Sequence, residues 1–156
     1  MSWWAVCAER ALSESVPAQP DWVRDFYVDL DQIKLAHPLI MSVQPTDCRE
    51  SANGYLQSYR VVDRIPLGPL RIRTSYRVRL YVPVQGDVST EADQWPRIQL
   101  RVTVSFEPID TGTRLTERIR ITAPRLLAAF TIREAVKAHR AMLSGIRGHF
   151  ECRSAG

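Results

Sequence analysis

The feature that most constrains the fold of this chain is a strict alternation of two kinds of side chain over residues 70–83. One set of alternating positions is mainly apolar: Leu70, Ile72, Thr74, Tyr76, Val78, Leu80 and Val82. The other set is rich in arginine: Arg71, Arg73, Ser75, Arg77, Arg79 and Tyr81. Because successive side chains of a strand point to opposite faces, this pattern predicts a long β-strand with one buried and one solvated face. Such strands are typical of antiparallel sheets.

Weaker forms of the same pattern predict further strands in sequential order. We expect strands over residues 5–14, 39–47, 55–65, 98–106 and 115–121. The Asn53-Gly54 pair indicates a hairpin, and turns are expected over residues 66–69 and 110–113. Residues 85–95 are polar, and we expect them to form a loop. The strands would then form an antiparallel meander with one apolar face.

Three segments carry helical signals. Asp21 precedes a helix-start pattern over residues 22–27, and a second short helix is expected over 30–36, ended by His37-Pro38. From about Arg125 to Glu151 the chain has no proline. On a helical wheel, eight apolar residues lie within roughly 60° of His139. They are Ala128, Ile132, Ala135, Val136, Met142, Leu143, Ile146 and Phe150. We therefore predict one long amphipathic helix whose apolar stripe is centred on a histidine.

This order of elements predicts a single α+β domain over residues 1–156, in which a curved antiparallel sheet wraps the C-terminal helix. Only the last helix is long enough to cover the apolar face of the sheet, and we expect an apolar cavity between the two. No apolar run approaches the ~20 residues of a membrane span. The start, Met1-Ser2-Trp3-Trp4-Ala5, lacks the pattern of a signal peptide, so we expect a cytoplasmic protein.

Several motifs of the chain together resemble the SRPBCC superfamily. They are residues 33–40 (IKLAHPLI), the strand over 59–63, residues 110–117 (DTGTRLTE) and residues 135–139 (AVKAH). The resemblance is to the START-like, polyketide cyclase/dehydrase and lipid-transport members, and it runs from about Cys7 to Phe150. It implies a helix-grip fold with about six to seven strands and a deep cavity. It also implies a small hydrophobic partner, such as a lipid or a polyketide. We expect no cofactor.

Glu117 and His139 are the candidates for chemistry. Glu117 lies between Leu115 and Ile119 on the apolar face of the last strand, where an unpaired carboxylate would be costly. His139 lies on the helix stripe that covers the same face. The two could form an acid–base pair, bind a polar group of a ligand, or form a purely structural pair.

Other candidates for the cavity wall are Tyr59 and Tyr76 on the strands and Ala135, Met142 and Leu143 on the helix. The tyrosine hydroxyls could meet a ligand, although ordinary core tyrosines fit the pattern equally well. Met142 also fits a plain core role. His37 precedes a proline, which favours a role in ending the helix over catalysis.

Other functional classes find little support in the sequence. The arginine-rich strand faces have almost no interleaved aromatic residues, so we expect a solvated surface and no nucleic-acid partner. Cys7, Cys48 and Cys152 are far apart, which predicts reduced, partly buried thiols and no zinc site. Nucleophile-elbow, zincin, P-loop and dinucleotide-binding motifs are absent from the sequence. The sequence leaves open a carrier, a cyclase-type enzyme and an interaction domain, and it does not indicate the oligomeric state.

Overall fold

The computed structural model describes residues 3–154, which form seven strands and three helices. In chain order the elements are β1 (Ala5–Val16), α1 (Pro20–Val28), α2 (Leu30–Ala36), β2 (Ile40–Ser51), β3 (Gly54–Leu67), β4 (Leu70–Pro83), β5 (Val88–Gln94), β6 (Ile98–Ile109), β7 (Gly112–Pro124) and α3 (Arg125–Ser154). The strands form one antiparallel sheet in the order β1-β7-β6-β5-β4-β3-β2. The predicted helix-grip fold is confirmed.

The sheet curves around α3 and buries the apolar face of nearly every strand. Inner positions such as Leu80, Val102, Val104 and Ile121 are almost fully buried, and they form one core cluster with Met142, Leu143, Ile146 and Phe150 of α3. Arginines line the outer face, where Arg79 pairs with Glu91 at 2.7 Å and Arg120 pairs with Glu9 at 2.9 Å. The period of two in the sequence therefore separates core from solvent as predicted.

Helices α1 and α2 fill only part of the space between the sheet and α3. Phe26 of α1 stacks edge-on against Phe150 near the end of α3. A Cβ atom placed on Gly145 would lie 3.0 Å from the Ala36 side chain of α2, so glycine permits a close approach of the two helices. The short helices thus pack against the C-terminal half of α3. Its N-terminal half faces the sheet with more open space between them.

Two expectations about local structure are wrong. Residues 85–95 are not simply a loop, because β5 occupies most of the segment and pairs with both β4 and β6. Cys7, Cys48 and Cys152 are free thiols, but all three are exposed instead of partly buried. Among the described residues, no helix is both long and apolar enough to cross a membrane.

Candidate functional site

A cavity of about 460 Å³, which we call the outer chamber, lies between the inner face of the sheet and the N-terminal half of α3. Its walls are mainly apolar, and they include Leu100 of β6 together with Ala135 and Ala138 of α3. Alanines at these helix positions leave room that larger side chains would fill. Exposed apolar side chains, among them Trp95 and Leu127, surround the mouth of the outer chamber.

A smaller space of about 100 Å³, the inner chamber, adjoins the outer chamber deeper in the fold. Five residues line both chambers and therefore lie at the passage between them: the polar His37, Tyr76 and His139 and the apolar Ala92 and Leu100. Met142 and Tyr27 line only the inner chamber. A ligand in the outer chamber would therefore meet three polar side chains at its inner end, within an otherwise mainly apolar wall.

Glu117 and His139 meet at this passage. The Nδ1 atom of His139 lies 3.0 Å from Oε1 and 3.2 Å from Oε2 of Glu117. Glu117 is completely buried, and its neighbours across the strand pairs are the apolar Leu12 and Val104. Its second polar partner is the hydroxyl group of Tyr27 on α1, which donates a hydrogen bond to Oε2. Burial, together with the charge of Glu117, raises the pKa of Tyr27 well above its usual value, so this hydroxyl remains a donor.

The surroundings of His139 favour its protonated form. Burial lowers the pKa of the imidazole, but the charge and hydrogen bond of Glu117 and the charge of Asp63 outweigh burial, and the pKa is raised overall. Because Nδ1 is engaged by Glu117, the Nε2 edge of the ring is the part available to the chambers that His139 lines. Glu117 thus fixes the orientation of the imidazole and supports its positive charge.

His37 lies beside His139, with ring centroids 5.8 Å apart and planes at 83°. It caps the C-terminus of α2, which agrees with its expected role in ending the helix, and its Nδ1 accepts a hydrogen bond from the backbone N–H of Leu39 at 3.3 Å. Burial, together with the neighbouring His139, lowers the pKa of His37 to about 3. The ring is therefore neutral at ordinary pH, with its remaining proton on Nε2.

Asp63 and Tyr76 form a second polar cluster on the sheet side of the outer chamber. The Tyr76 hydroxyl donates a hydrogen bond to Oδ2 of Asp63 at 3.0 Å. Burial raises the pKa of Asp63 to about 6, and the hydrogen bond from Tyr76 and the charge of His139 oppose that rise. Asp63 pairs with Thr74 across the β3–β4 ladder, and both line the outer chamber.

The structure separates the seven residues predicted for the site into two groups. The first group lines one or both chambers and consists of Tyr76, Ala135, Met142 and His139. The second group lines neither chamber and consists of Tyr59, Leu143 and Glu117. Tyr59 lies four residues before Asp63 on β3, which displaces it by about 13 Å along the strand. Leu143 lies on the side of the apolar stripe that faces away from the chambers and is part of the core, and Glu117 is hidden behind His139 and Tyr27.

Four residues of the site were not singled out from the sequence as ligand-facing groups: Tyr27, His37, Asp63 and Thr74. Asp63 carried a usable signal, because it lies between Val61 and Ile65 on the apolar face of a predicted strand, as Glu117 does on another. The contact between Tyr27 and Glu117 joins residues 90 positions apart and depends on how α1 packs. No local pattern in the sequence indicates it.

A larger groove, of about 770 Å³, lies on the opposite flank of α3 against β1. It is a shallow surface lined by Arg10, Arg133, Lys137 and Arg140 among others. It contains neither of the buried carboxylates. The two chambers are therefore the better candidate for a functional site.

Comparisons with known proteins support the fold. No family model matches the chain, and no curated protein matches it. Among solved structures, the protein TTHA0849 from Thermus thermophilus is 20% identical, with a TM-score of 0.69 over 96% of this chain and 99% of that chain. The Zhui aromatase/cyclase from Streptomyces sp. R1128 is 15% identical, with a TM-score of 0.69 over 96% of both chains.

A third similar structure is the di-domain ARO/CYC StfQ from the steffimycin biosynthetic pathway. It is 15% identical to this chain, with a TM-score of 0.73 over 98% of this chain and 53% of that chain. The chain thus spans about half the length of StfQ. At these identities the similarity establishes the shared architecture of sheet and helix and no more.

Proposed function

We propose that this chain, which has the helix-grip fold expected of the SRPBCC superfamily, binds a small hydrophobic or amphipathic ligand, lipid-like or polyketide-like, in its outer chamber. The observation that carries the proposal is the outer chamber itself, about 460 Å³ of mainly apolar space that ends at a few convergent polar groups. Binding sites for small molecules commonly combine apolar walls with a few placed polar groups. Two of the similar structures, the Zhui aromatase/cyclase and the ARO/CYC StfQ, agree with a site that holds a small molecule.

The proposal is tested by filling the outer chamber from α3. Ala135→Trp places an indole in the chamber that Ala135 lines, whereas Ala129→Trp places the same group on an exposed position of the same helix. We expect the wild type and Ala129→Trp to bind the apolar dye Nile red, and Ala135→Trp to lose at least tenfold in affinity. Native mass spectrometry of freshly purified protein would add a search for retained compounds. Equal dye binding by both variants would contradict a ligand site in this chamber.

A second candidate function is an enzyme of the cyclase, aromatase or dehydratase type, with His139 as the proton-transfer group. The observation that favours it is the contact between Glu117 and Nδ1 of His139, which leaves the Nε2 edge for a ligand. A carboxylate that orients a histidine is a common arrangement for general acid–base catalysis. In this role Glu117 positions His139 and does not touch the substrate.

The two functions differ in a proton-exchange experiment. A base at His139 would remove a proton from the carbon next to a carbonyl group, and in D₂O the enolate would be quenched with deuterium. The probe is 1-(2-naphthyl)propan-2-one, and mass spectrometry follows its deuterium content. An enzyme accelerates the exchange, and Glu117→Gln and His139→Gln lose the acceleration while still binding the probe. A carrier binds the probe without accelerating exchange in any variant.

A further inference from the structure

Two neighbouring side chains of the outer chamber have buried oxygen atoms without hydrogen-bond partners. Oδ1 of Asp63 and Oγ1 of Thr74 are two of the three such side-chain atoms within residues 3–154. The third, Nε of Arg24, belongs to a guanidinium that hydrogen-bonds the carbonyl oxygen of Pro83. The large majority of buried polar atoms in native proteins have partners, so two unpartnered oxygens on one strand pair require an explanation.

Asp63 and Thr74 are placed to share one partner. They are directly paired across the β3–β4 ladder, and both line the outer chamber. Asp63 is only 6% exposed, and its other carboxyl oxygen, Oδ2, is held by the Tyr76 hydroxyl at 3.0 Å. The Tyr76 contact anchors the carboxyl group and leaves Oδ1 to accept a further hydrogen bond. Facing side chains of an antiparallel pair have Cβ atoms about 5 Å apart, which suits a single bridging group.

The chemistry of the two oxygens selects the partner. A carboxylate oxygen can only accept a hydrogen bond, whereas a threonine hydroxyl both donates and accepts. An alcohol or phenol hydroxyl has one proton and two lone pairs, so it can donate to Asp63 while accepting from Thr74. An anionic group would be repelled by the Asp63 carboxylate. A cationic group would meet the imidazole of His139, whose protonated form Glu117 supports.

A ligand group can reach these oxygens with a small side-chain movement. The oxygens are buried, but the side chains that carry them form part of the chamber wall. The χ2 torsion of aspartate is broad and roughly two-fold. Binding at Oδ1 requires a limited rotation about this torsion that keeps the Tyr76 hydrogen bond to Oδ2.

We propose that Asp63 and Thr74 form a polar anchor in the outer chamber that selects ligands carrying a neutral alcohol or phenol hydroxyl. The anchor rests on the proposed function, because it requires that the ligand occupy the outer chamber. The bound hydroxyl bridges Oδ1 of Asp63 and Oγ1 of Thr74, while the apolar body of the ligand fills the remaining space. The proposal makes the hydroxyl, and not the hydrocarbon frame alone, the group that the site recognises.

The test compares four probes with the same frame: 2-naphthol, 2-methylnaphthalene, 2-naphthylmethylamine and 2-naphthoate. Affinities are measured by isothermal titration calorimetry at pH 8, where the Asp63 carboxyl is ionised. We expect the wild type to bind 2-naphthol about tenfold more tightly than 2-methylnaphthalene, which is the effect of one well-made hydrogen bond. The charged probes should bind more weakly than 2-naphthol.

Thr74→Val and Thr90→Val form a matched pair of variants. Each replaces a threonine hydroxyl with a methyl group of similar shape, but Thr90 lines the inner chamber, away from the anchor. Thr74→Val should reduce the preference for 2-naphthol at least threefold, and Thr90→Val should retain it. Asp63→Leu should abolish it, and circular dichroism would verify that this variant is folded. If Asp63→Leu does not fold, the two threonine variants still decide the question.

The possible failures can be distinguished. Equal affinity of the wild type for 2-naphthol and 2-methylnaphthalene would overturn the anchor while leaving a ligand-binding chamber intact. Tightest binding of the amine or of the naphthoate would also overturn it, as would an unchanged preference in Thr74→Val. If none of the four probes bound, the proposed function would fail together with the anchor.

Discussion

Replacing Glu117 with glutamine should destabilise the protein, and the loss should be larger at acid pH than at alkaline pH. The variant keeps the shape of the side chain and an oxygen that can accept from Tyr27. It removes the negative charge 3.0 Å from Nδ1 of His139. Glu117 is fully buried between apolar neighbours, so neither water nor an ion would replace that charge readily.

The sign of the pH dependence comes from His139. Its pKa in the folded wild type is above the ordinary 6.5, because Glu117 and Asp63 together outweigh burial. A group with a raised folded-state pKa contributes stability that is complete below its unfolded pKa and is lost as pH rises through its folded pKa. In Glu117→Gln the main attraction is absent while burial remains, so the pKa of His139 falls. The free energies of unfolding of the two proteins therefore diverge toward acid pH.

The size of the effect follows from two contributions. The first contribution does not depend on the charge of His139: the variant loses the difference between a carboxylate and an amide as hydrogen-bond partner, about 1–3 kcal/mol. The second contribution appears as the pH falls from 9 to 5.5. Each unit by which the folded-state pKa of His139 is lower in the variant than in the wild type adds about 1.4 kcal/mol to the loss of stability. The total loss at pH 5.5 should reach about 3–5 kcal/mol, the usual cost of removing one partner of a buried charged pair.

Urea unfolding followed by circular dichroism at pH 5.5 and pH 9 measures both losses. Glu107→Gln is the matched control, because Glu107 lies on the exposed face of β6, 3.8 Å from Arg114. That variant should change the free energy of unfolding by no more than about 0.5 kcal/mol at either pH. A loss for Glu117→Gln that was equal at the two pH values, or larger at pH 9, would refute the charge interaction with His139.

Two further variants test how the structure assigns residues to core and turn. Leu143→Ala should lower the free energy of unfolding by about 2–5 kcal/mol, because Leu143 is part of the core. It should not weaken the binding of Nile red, because Leu143 does not line the chambers. A selective loss of dye binding would contradict this placement. Gly112→Ala should cost at least about 3 kcal/mol by urea unfolding, because Gly112 has a φ of 141° and an added Cβ would lie 2.2 Å from the carbonyl oxygen of Val16. Gly68→Ala, at a φ of 59° with no atom within 4 Å of the added Cβ, should cost only about 1–2 kcal/mol, and similar costs for the two glycines would count against the close contact.

The sequence predicts the strands whose inner positions are mostly apolar, and it fails for β5, whose inner positions are mostly small or polar. The alternation over residues 70–83 corresponds to β4 from Leu70 to Pro83. In contrast, the sequence of β5 indicates a loop, because its inner positions after Val88 are Thr90, Ala92 and Gln94. These small and polar residues line the chambers, where no apolar packing is required. The side chains of β5 that leave room for the chambers are therefore the same ones that hide the strand from the sequence pattern.

The candidate site was predictable only in part, for a geometric reason. A helical wheel identifies the apolar stripe of α3 but not which side of it meets packed core and which side meets open space. Met142 and Leu143 both lie within about 60° of His139 on the wheel, on opposite sides of it, yet only Met142 lines a chamber. That difference depends on how α3 packs against the sheet and the short helices. A pattern confined to one helix contains no information about it.

The position of the polar groups bears on whether the protein is a carrier or an enzyme. His37, Tyr76 and His139 lie at the passage between the chambers, where the ligand space narrows toward the packed core. A carrier needs polar groups only where they touch its ligand, and replacing a buried charged pair by apolar residues is often neutral or stabilising. Glu117 lines neither chamber, so it influences a ligand through the orientation and charge of His139 or, at the inner chamber, through Tyr27. A buried carboxylate in such a position contributes little to simple binding, whereas a proton-transfer histidine requires it.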